Sequence, residues 1–281
     1  MSSPAVSKEQ KKDKKYLLIV VAASCLVAAM FGSRNSLSLT IEGINQSQTL
    51  NYLQISFAFA LGQLVVGAIS PFAGMIADKY GSGKTLTVGI LLGLLGIILI
   101  PYSTTAFTLS ISLGVISSIG LGVAGLPVVL ASVNRLIPQN KVGMAFGLVN
   151  AGQSLGQLIL APLAGFIIVN FGWILCILFL CTVLLLVLPF SFTLRSRTDT
   201  KQPSGVQTKS LSETLRIAFN TPSYIYLVVG FFVCGFHVAF IATHMPGVIQ
   251  VCGLPPTVSG WSLGLIGLFN IVGSIFAGLY I

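Results

Sequence analysis

Arg34 is the residue of this chain best placed to do chemistry. It lies inside an apolar stretch, residues 16–41, that is long enough to cross a bilayer. A charge there costs about 2.5–3.5 kcal/mol on insertion scales and marks a functional position by default. Its planar guanidinium matches a carboxylate, Asn35 flanks it, and Ser38 follows one turn on. The competing reading is snorkelling to the outer headgroups, or pairing with Glu42 two turns away. His237 and His244, seven residues apart in a later apolar stretch, share a helix face and suit proton coupling near neutral pH. Either can equally be a histidine satisfied by hydrogen bonds at a helix interface. Asn150, Gln153, Ser154 and Gln157 form a polar stripe at helical spacing. Such a stripe lines a cavity or makes interhelical hydrogen bonds. Finally, a short charged segment from Gly74 to Lys84 separates two apolar stretches and holds Asp78, Lys79 and Gly81. It predicts a turn in which Gly81 and Gly83 supply the freedom. Asp78, near the start of the following helix, would face that helix's positive end or an arginine.

The elements that position these residues follow from composition. Of 281 residues, 54% are hydrophobic and 7% charged, with a mean hydropathy of +0.95. Soluble domains carry about 25% charged residues, so the bilayer must be the solvent. Eight stretches reach spanning length: 16–41, 51–77, 85–103, 106–133, 143–169, 171–194, 223–249 and 257–281. They are continuous rather than alternating, which predicts helices and not a β-barrel. The first is too long for a signal-peptide core and reads as a retained helix. Gly120, Gly122, Gly125 and Pro127 in the fourth read as close-packing and kink positions. The five cysteines are odd in number and irregular in spacing, which fits small hydrophobes and no disulfide or metal framework.

Orientation comes from the basic residues. Fourteen of the fifteen Lys and Arg fall in alternate connections. They are Lys8, Lys11, Lys12, Lys14 and Lys15, then Lys79 and Lys84, then Arg135 and Lys141, and last Arg195, Arg197, Lys201, Lys209 and Arg216. The fifteenth is Arg34. The positive-inside rule therefore places the N-terminus in the cytoplasm. A net charge of +9 divided in this way across apolar spans does not describe a nucleic-acid-binding face. The predicted organisation is a cytoplasmic tail at 1–15, a six-helix bundle at 16–194, a cytoplasmic linker at 195–222 and two further helices at 223–281. Ser210 and Glu213 in the linker have capping-box spacing.

The sequence also repeats itself. Gly32-Ser33-Arg34 aligns with Gly235-Phe236-His237 at a shift of 203 (235 − 32), and Gly74 with Gly278 at 204 (278 − 74). Phe72-Ala73-Gly74 before the charged segment matches Phe276-Ala277-Gly278 near the end of the chain. A duplicated six-helix unit is the implied origin. The charged segment reads Gly74, Asp78, Lys79, Gly81, Lys84 and resembles the loop G-x-x-x-D-R/K-x-G-x-x-R/K of the major facilitator superfamily. Two positions often basic in that family are Ser82 and Gly83 here. Gly32 to Ser36 and the 235–278 region resemble the bacterial branch related to monocarboxylate transporters.

The resemblance implies an all-α integral membrane protein with the major facilitator fold, eight transmembrane helices of an expected twelve being present and the second bundle incomplete. It implies a multi-pass protein of a bacterial inner membrane: a secondary active symporter of a small organic anion, with a proton as coupling ion and no cofactor. Arg34, Asn35, Asn150, Gln153 and Gln157 would contact the solute. His237 and His244 would carry the proton, and Gly74, Asp78, Lys79, Gly81 and Lys84 would form the conformational switch. The alternatives are a transporter of a drug or sugar, or a truncated membrane protein that does not transport. Gly81-Ser-Gly-Lys-Thr85 resembles the end of a phosphate-binding loop, but Asp78 stands where that motif needs glycine and an apolar helix precedes it. Neither a metal cluster, a nucleophile elbow nor a pair of intramembrane carboxylates points to an enzyme.

Overall fold

The computed structural model describes residues 4–48, 50–195 and 216–280. The Ser210–Glu213 capping box lies outside them. Among the described residues, eight helices are long and apolar enough to cross a membrane. We number them α1 (Tyr16–Ser47), α2 (Tyr52–Tyr80), α3 (Ser82–Tyr102), α4 (Ala106–Leu136), α5 (Gln139–Phe171), α6 (Trp173–Thr193), α7 (Pro222–Val251) and α8 (Pro256–Gly273). The backbone of α1 is already helical from Pro4, and that of α8 continues to Tyr280.

Local chemistry sets the ends. α1 runs past the expected boundary at residue 41, because a 3-10 turn over Leu37–Thr40 joins it to a further helical segment. In that turn the Ser38 hydroxyl donates to the Asn35 carbonyl and Thr40 to Leu37. Asn51 and Gln54 cap α2 reciprocally. The segment predicted as a turn over 74–84 is helical except at Gly81, whose φ of +90° is one that L side chains rarely adopt. Asp78 therefore belongs to the last turn of α2 rather than to the start of α3. Gly83 is not a turn residue either. It lies inside α3, where an added methyl would sit 3.0 Å from the Arg195 Cβ.

α4 is the irregular helix. It begins with an α-helical turn over Ala106–Leu109, continues as a π-helical segment over Ser110–Ser117, breaks at Ala124–Gly125, and resumes at Leu126 with Pro127 in its first turn. The glycines before the break are close-packing positions: a methyl on Gly120 would lie 2.1 Å from the Gly93 nitrogen of α3. α1 and α5 also pack backbone to backbone, since a methyl on Gly156 would lie 2.0 Å from the Ala28 carbonyl oxygen. One buried apolar cluster runs from Ile19 to Leu194 and takes in Leu263 of α8.

α7 and α8 meet the first six spans unevenly. α7 is exposed throughout residues 222–238, and its buried residues, Thr243 and Pro246, lie toward the end away from the basic connections. α8 interlocks with α5 through small residues. Methyls on Gly260, Gly264 and Gly267 would strike Ala161, Pro162 and Ser154 at 2.6, 2.9 and 2.7 Å.

Candidate functional site

Arg34 stands where two cavities meet. On α1, Val27, Met30, Phe31 and Arg34 recur at i, i+3, i+4 and i+7, so they form one helix face. On α2, Gln63, Val66 and Ser70 follow the same spacing. Both faces turn toward α4. A narrow cavity of about 40 Å³ lies beside Arg34, Asn35, Ser38, Gln63, Ser117, Ser118 and Thr243. A larger one, of about 190 Å³, lies on the other side of Arg34, along Val27, Met30, Phe31, Val66, Leu121, Leu126 and Pro127, with Ser70 and Gln153 at its polar edge.

The irregularities of α4 shape both. Ser117 ends the π-helical segment beside the narrow cavity, and Ser118 follows it. The break brings the N-terminus of the Leu126–Leu136 helix into the wall of the larger cavity. Such an end carries partial positive charge, here in the same cavity as the guanidinium.

The charge inventory is short. Arg34 donates through Nη2 to the neutral amide oxygen of Gln63. The chain has six acidic residues: Glu9, Asp13, Glu42, Asp78, Asp199 and Glu213. Glu42, read above as a possible partner of Arg34, instead accepts from the Tyr52 hydroxyl and the Gln46 amide. Asp78 pairs with Arg135. Among the described residues, no carboxylate pairs with Arg34. Its positive charge, inside a span, is met by a neutral group alone.

The other expected site residues separate. Asn35 and Gln153 line the cavities at Arg34. Asn150 donates back to the Phe146 carbonyl of its own helix. Gln157 is buried under α8, its Cβ facing Gly267. His237 is exposed, and its Nδ1 lies 2.8 Å from the Val233 carbonyl oxygen. His244 is half-buried, its ring 5.0 Å from that of Phe240. Neither histidine lines the cavities, although Ala242 and Thr243 do. In the charged segment, Asp78 bonds Arg135 at the end of α4, Lys79 lies over the Tyr80 ring, Lys84 is exposed, and Gly74 has open space around it. Sequence reasoning missed Gln63, although a lone glutamine in an apolar span carries the same signal as Arg34. Thr243 and the apolar wall carried no signal of their own.

Comparison with known proteins agrees with this architecture. The monocarboxylate transporter 11 of Mus musculus is 25% identical over 178 residues, covering 63% of this chain and 39% of that protein. The hexuronate transporter of Bacillus subtilis is 24% identical over 255 residues, covering 84% of this chain and 58% of that protein. The chain thus spans less than two thirds of the length of these relatives. A crystal structure of a bacterial homologue of the human lysosomal transporter Spinster, inward-facing and unoccupied, matches the fold with a TM-score of 0.70 at 15% identity, covering 93% of this chain and 60% of that one. The model of the Major Facilitator Superfamily matches residues 22–281, and the chain belongs to that superfamily.

Proposed function

We propose that this chain is part of a secondary transporter of small organic anions of the monocarboxylate kind. The observation that supports this reading is Arg34: a guanidinium inside a span, facing two cavities, with a neutral partner and no carboxylate among the described residues. Protein interiors keep charges paired, so an anionic solute is the natural counter-charge. The N-terminus of the second half of α4, in the same wall, favours the same sign. Asn35 and Gln153 would orient the carboxylate.

Alternating access would follow from the uneven contact described above. α7 meets α1 and α2 toward the end away from the basic connections, α8 packs on α5 from that end as far as Ser154, and residues 222–238 of α7 are exposed. The segment with Gly74, Asp78, Lys79, Gly81 and Lys84 would act as the switch, because the Asp78–Arg135 pair ties the end of α2 to that of α4. For proton coupling His244 is the better candidate. It follows Thr243 of the cavity wall, whereas His237 lies on the exposed half of α7.

The hexuronate relative favours a second reading, a polyhydroxylated sugar acid, whose hydroxyls would use Ser117, Ser118 and Thr243. Both solutes are carboxylates, so one experiment tests their common ground. The purified chain is titrated with small carboxylates, and Arg34→Gln is compared with the original. Saturable binding that Arg34→Gln weakens at least about tenfold is expected; equal binding by both proteins would end the anion reading.

A further inference from the structure

The two cavities at Arg34 differ in a way that selects the rest of the solute. We infer that the solute is a monoanion with a compact apolar tail, a branched-alkyl or single-ring carboxylic acid, and that Val27, Met30, Phe31 and Val66 set the tail preference. This inference rests on the anion reading above and goes further by naming what the carboxylate is attached to.

The narrow cavity, where Asn35, Ser38 and Gln63 stand beside Leu37, Phe59 and Leu113, holds about 40 Å³, room for water or a hydroxyl but not for a sugar ring. The other holds about 190 Å³ and is walled by Val27, Met30, Phe31, Val66, Leu121 and Leu126. An apolar cavity of about 150 Å³ is large enough to accept a benzene ring, so the volume here leaves room for a branched alkyl group or a single ring. With the carboxylate held by Arg34 and Gln153, the rest of the lining that a tail can meet is mostly apolar. A hydroxylated tail there would lose its hydrogen bonds to water without replacement, which is costly. A second carboxylate would meet no second cation, since Arg34 is the basic residue of that lining. Both penalties act against sugar acids and dicarboxylates.

All the residues that line the larger cavity fall between Val27 and Gln153, so binding is measurable on the 281-residue chain itself. Isothermal titration of the chain in lipid nanodiscs would use acetate, butyrate, 4-methylpentanoate, phenylacetate, glucuronate and succinate. Each added buried methylene is expected to tighten binding roughly fourfold until the cavity is full, with glucuronate and succinate at least about tenfold weaker than 4-methylpentanoate. Val66→Thr keeps the shape and adds a hydroxyl, and should lower the ratio of 4-methylpentanoate to acetate affinity several-fold. Phe31→Leu should shift the optimum toward bulkier tails. If the acids bind through Arg34 with affinity independent of tail length, or glucuronate binds as tightly as 4-methylpentanoate, the tail inference is overturned and the anion reading stands. If no carboxylate binds, or Arg34→Gln binds all of them as before, the anion reading itself fails and takes this inference with it. The ligand series on the unmodified chain decides the matter even if a variant does not fold.

Discussion

α1 and α7 place equivalent polar positions in opposite surroundings. α1 buries one face along its length, whereas α7 is exposed throughout residues 222–238. Gly32 presses on the Gly156 carbonyl of α5, while Gly235 has open space around it. Arg34, two residues after the first glycine, faces cavities lined mainly by α1, α2 and α4, with Gln153 of α5 and Thr243 of α7 at their walls. His237, two residues after the second, is exposed and bonded to its own backbone. A charge is informative when packing holds it where water is scarce. Close helix contact, made possible by glycine, is what creates such a place. The same local pattern without the contact leaves a polar group bonded to its own helix.

The sharpest way to break this contrast is to remove the two polar groups in turn. Hydrogen bonds to charged groups are worth about 1.5–3 kcal/mol, so Arg34→Gln should weaken carboxylate binding by about 10- to 100-fold. His237→Gln should leave it unchanged. Equal losses in the two variants, read by titration, would mean that the exposed helix contributes as much to the site as the packed one.

The glycines test the packing half of the contrast. In an open helix, alanine is favoured over glycine by about 1 kcal/mol, so Gly235→Ala should be neutral or stabilising. At Gly32 the new methyl would lie 2.6 Å from a carbonyl oxygen and 2.7 Å from the Leu160 Cδ1. Overpacking of this kind costs about 1–3 kcal/mol, so Gly32→Ala should destabilise. Thermal unfolding in detergent should therefore show shifts of opposite sign for two substitutions that look the same on paper. Shifts of the same sign would remove the argument that the surroundings, and not the motif, decide.

These examples also show what a sequence read alone can deliver. The eight spans were legible because the bilayer imposes a length and forbids unpaired backbone. Arg34 was legible because a charge among apolar residues has few explanations. The break in α4 announced itself through Gly125 and Pro127. The π-helical segment Ser110–Ser117 did not, because nothing in Ser-Ile-Ser-Leu-Gly-Val-Ile-Ser distinguishes it from an ordinary turn of helix. The alignment of Gly235 with Gly32 carried over a position but not an environment, and so offered His237 as a counterpart to Arg34 that the structure does not bring to the site. The apolar wall escaped notice for a simpler reason. Val27, Phe31 and Val66 look like any lipid-facing residues until the fold shows which of them surround a void.

The smallest expected effect comes from the other arginine whose partner is seen. Arg135 pairs with Asp78, and the two side chains are 37% and 54% exposed. Exposed ion pairs contribute about 0–1 kcal/mol, and salt screens them within a Debye length of about 3 Å at 1 M. A double-mutant cycle with Asp78→Asn and Arg135→Gln, read by thermal stability, should give a coupling below about 1 kcal/mol that fades as salt is raised. Carboxylate binding at Arg34 should fade less, because the guanidinium and its ligand are enclosed by α1, α2 and α4 and the salt reaches them poorly. If the Asp78–Arg135 coupling proved large and insensitive to salt, that end of the molecule would be shielded in the membrane-embedded protein in a way its exposed side chains do not suggest. The contrast between a packed and an open arginine would then have to be redrawn, with both of them among the enclosed charges.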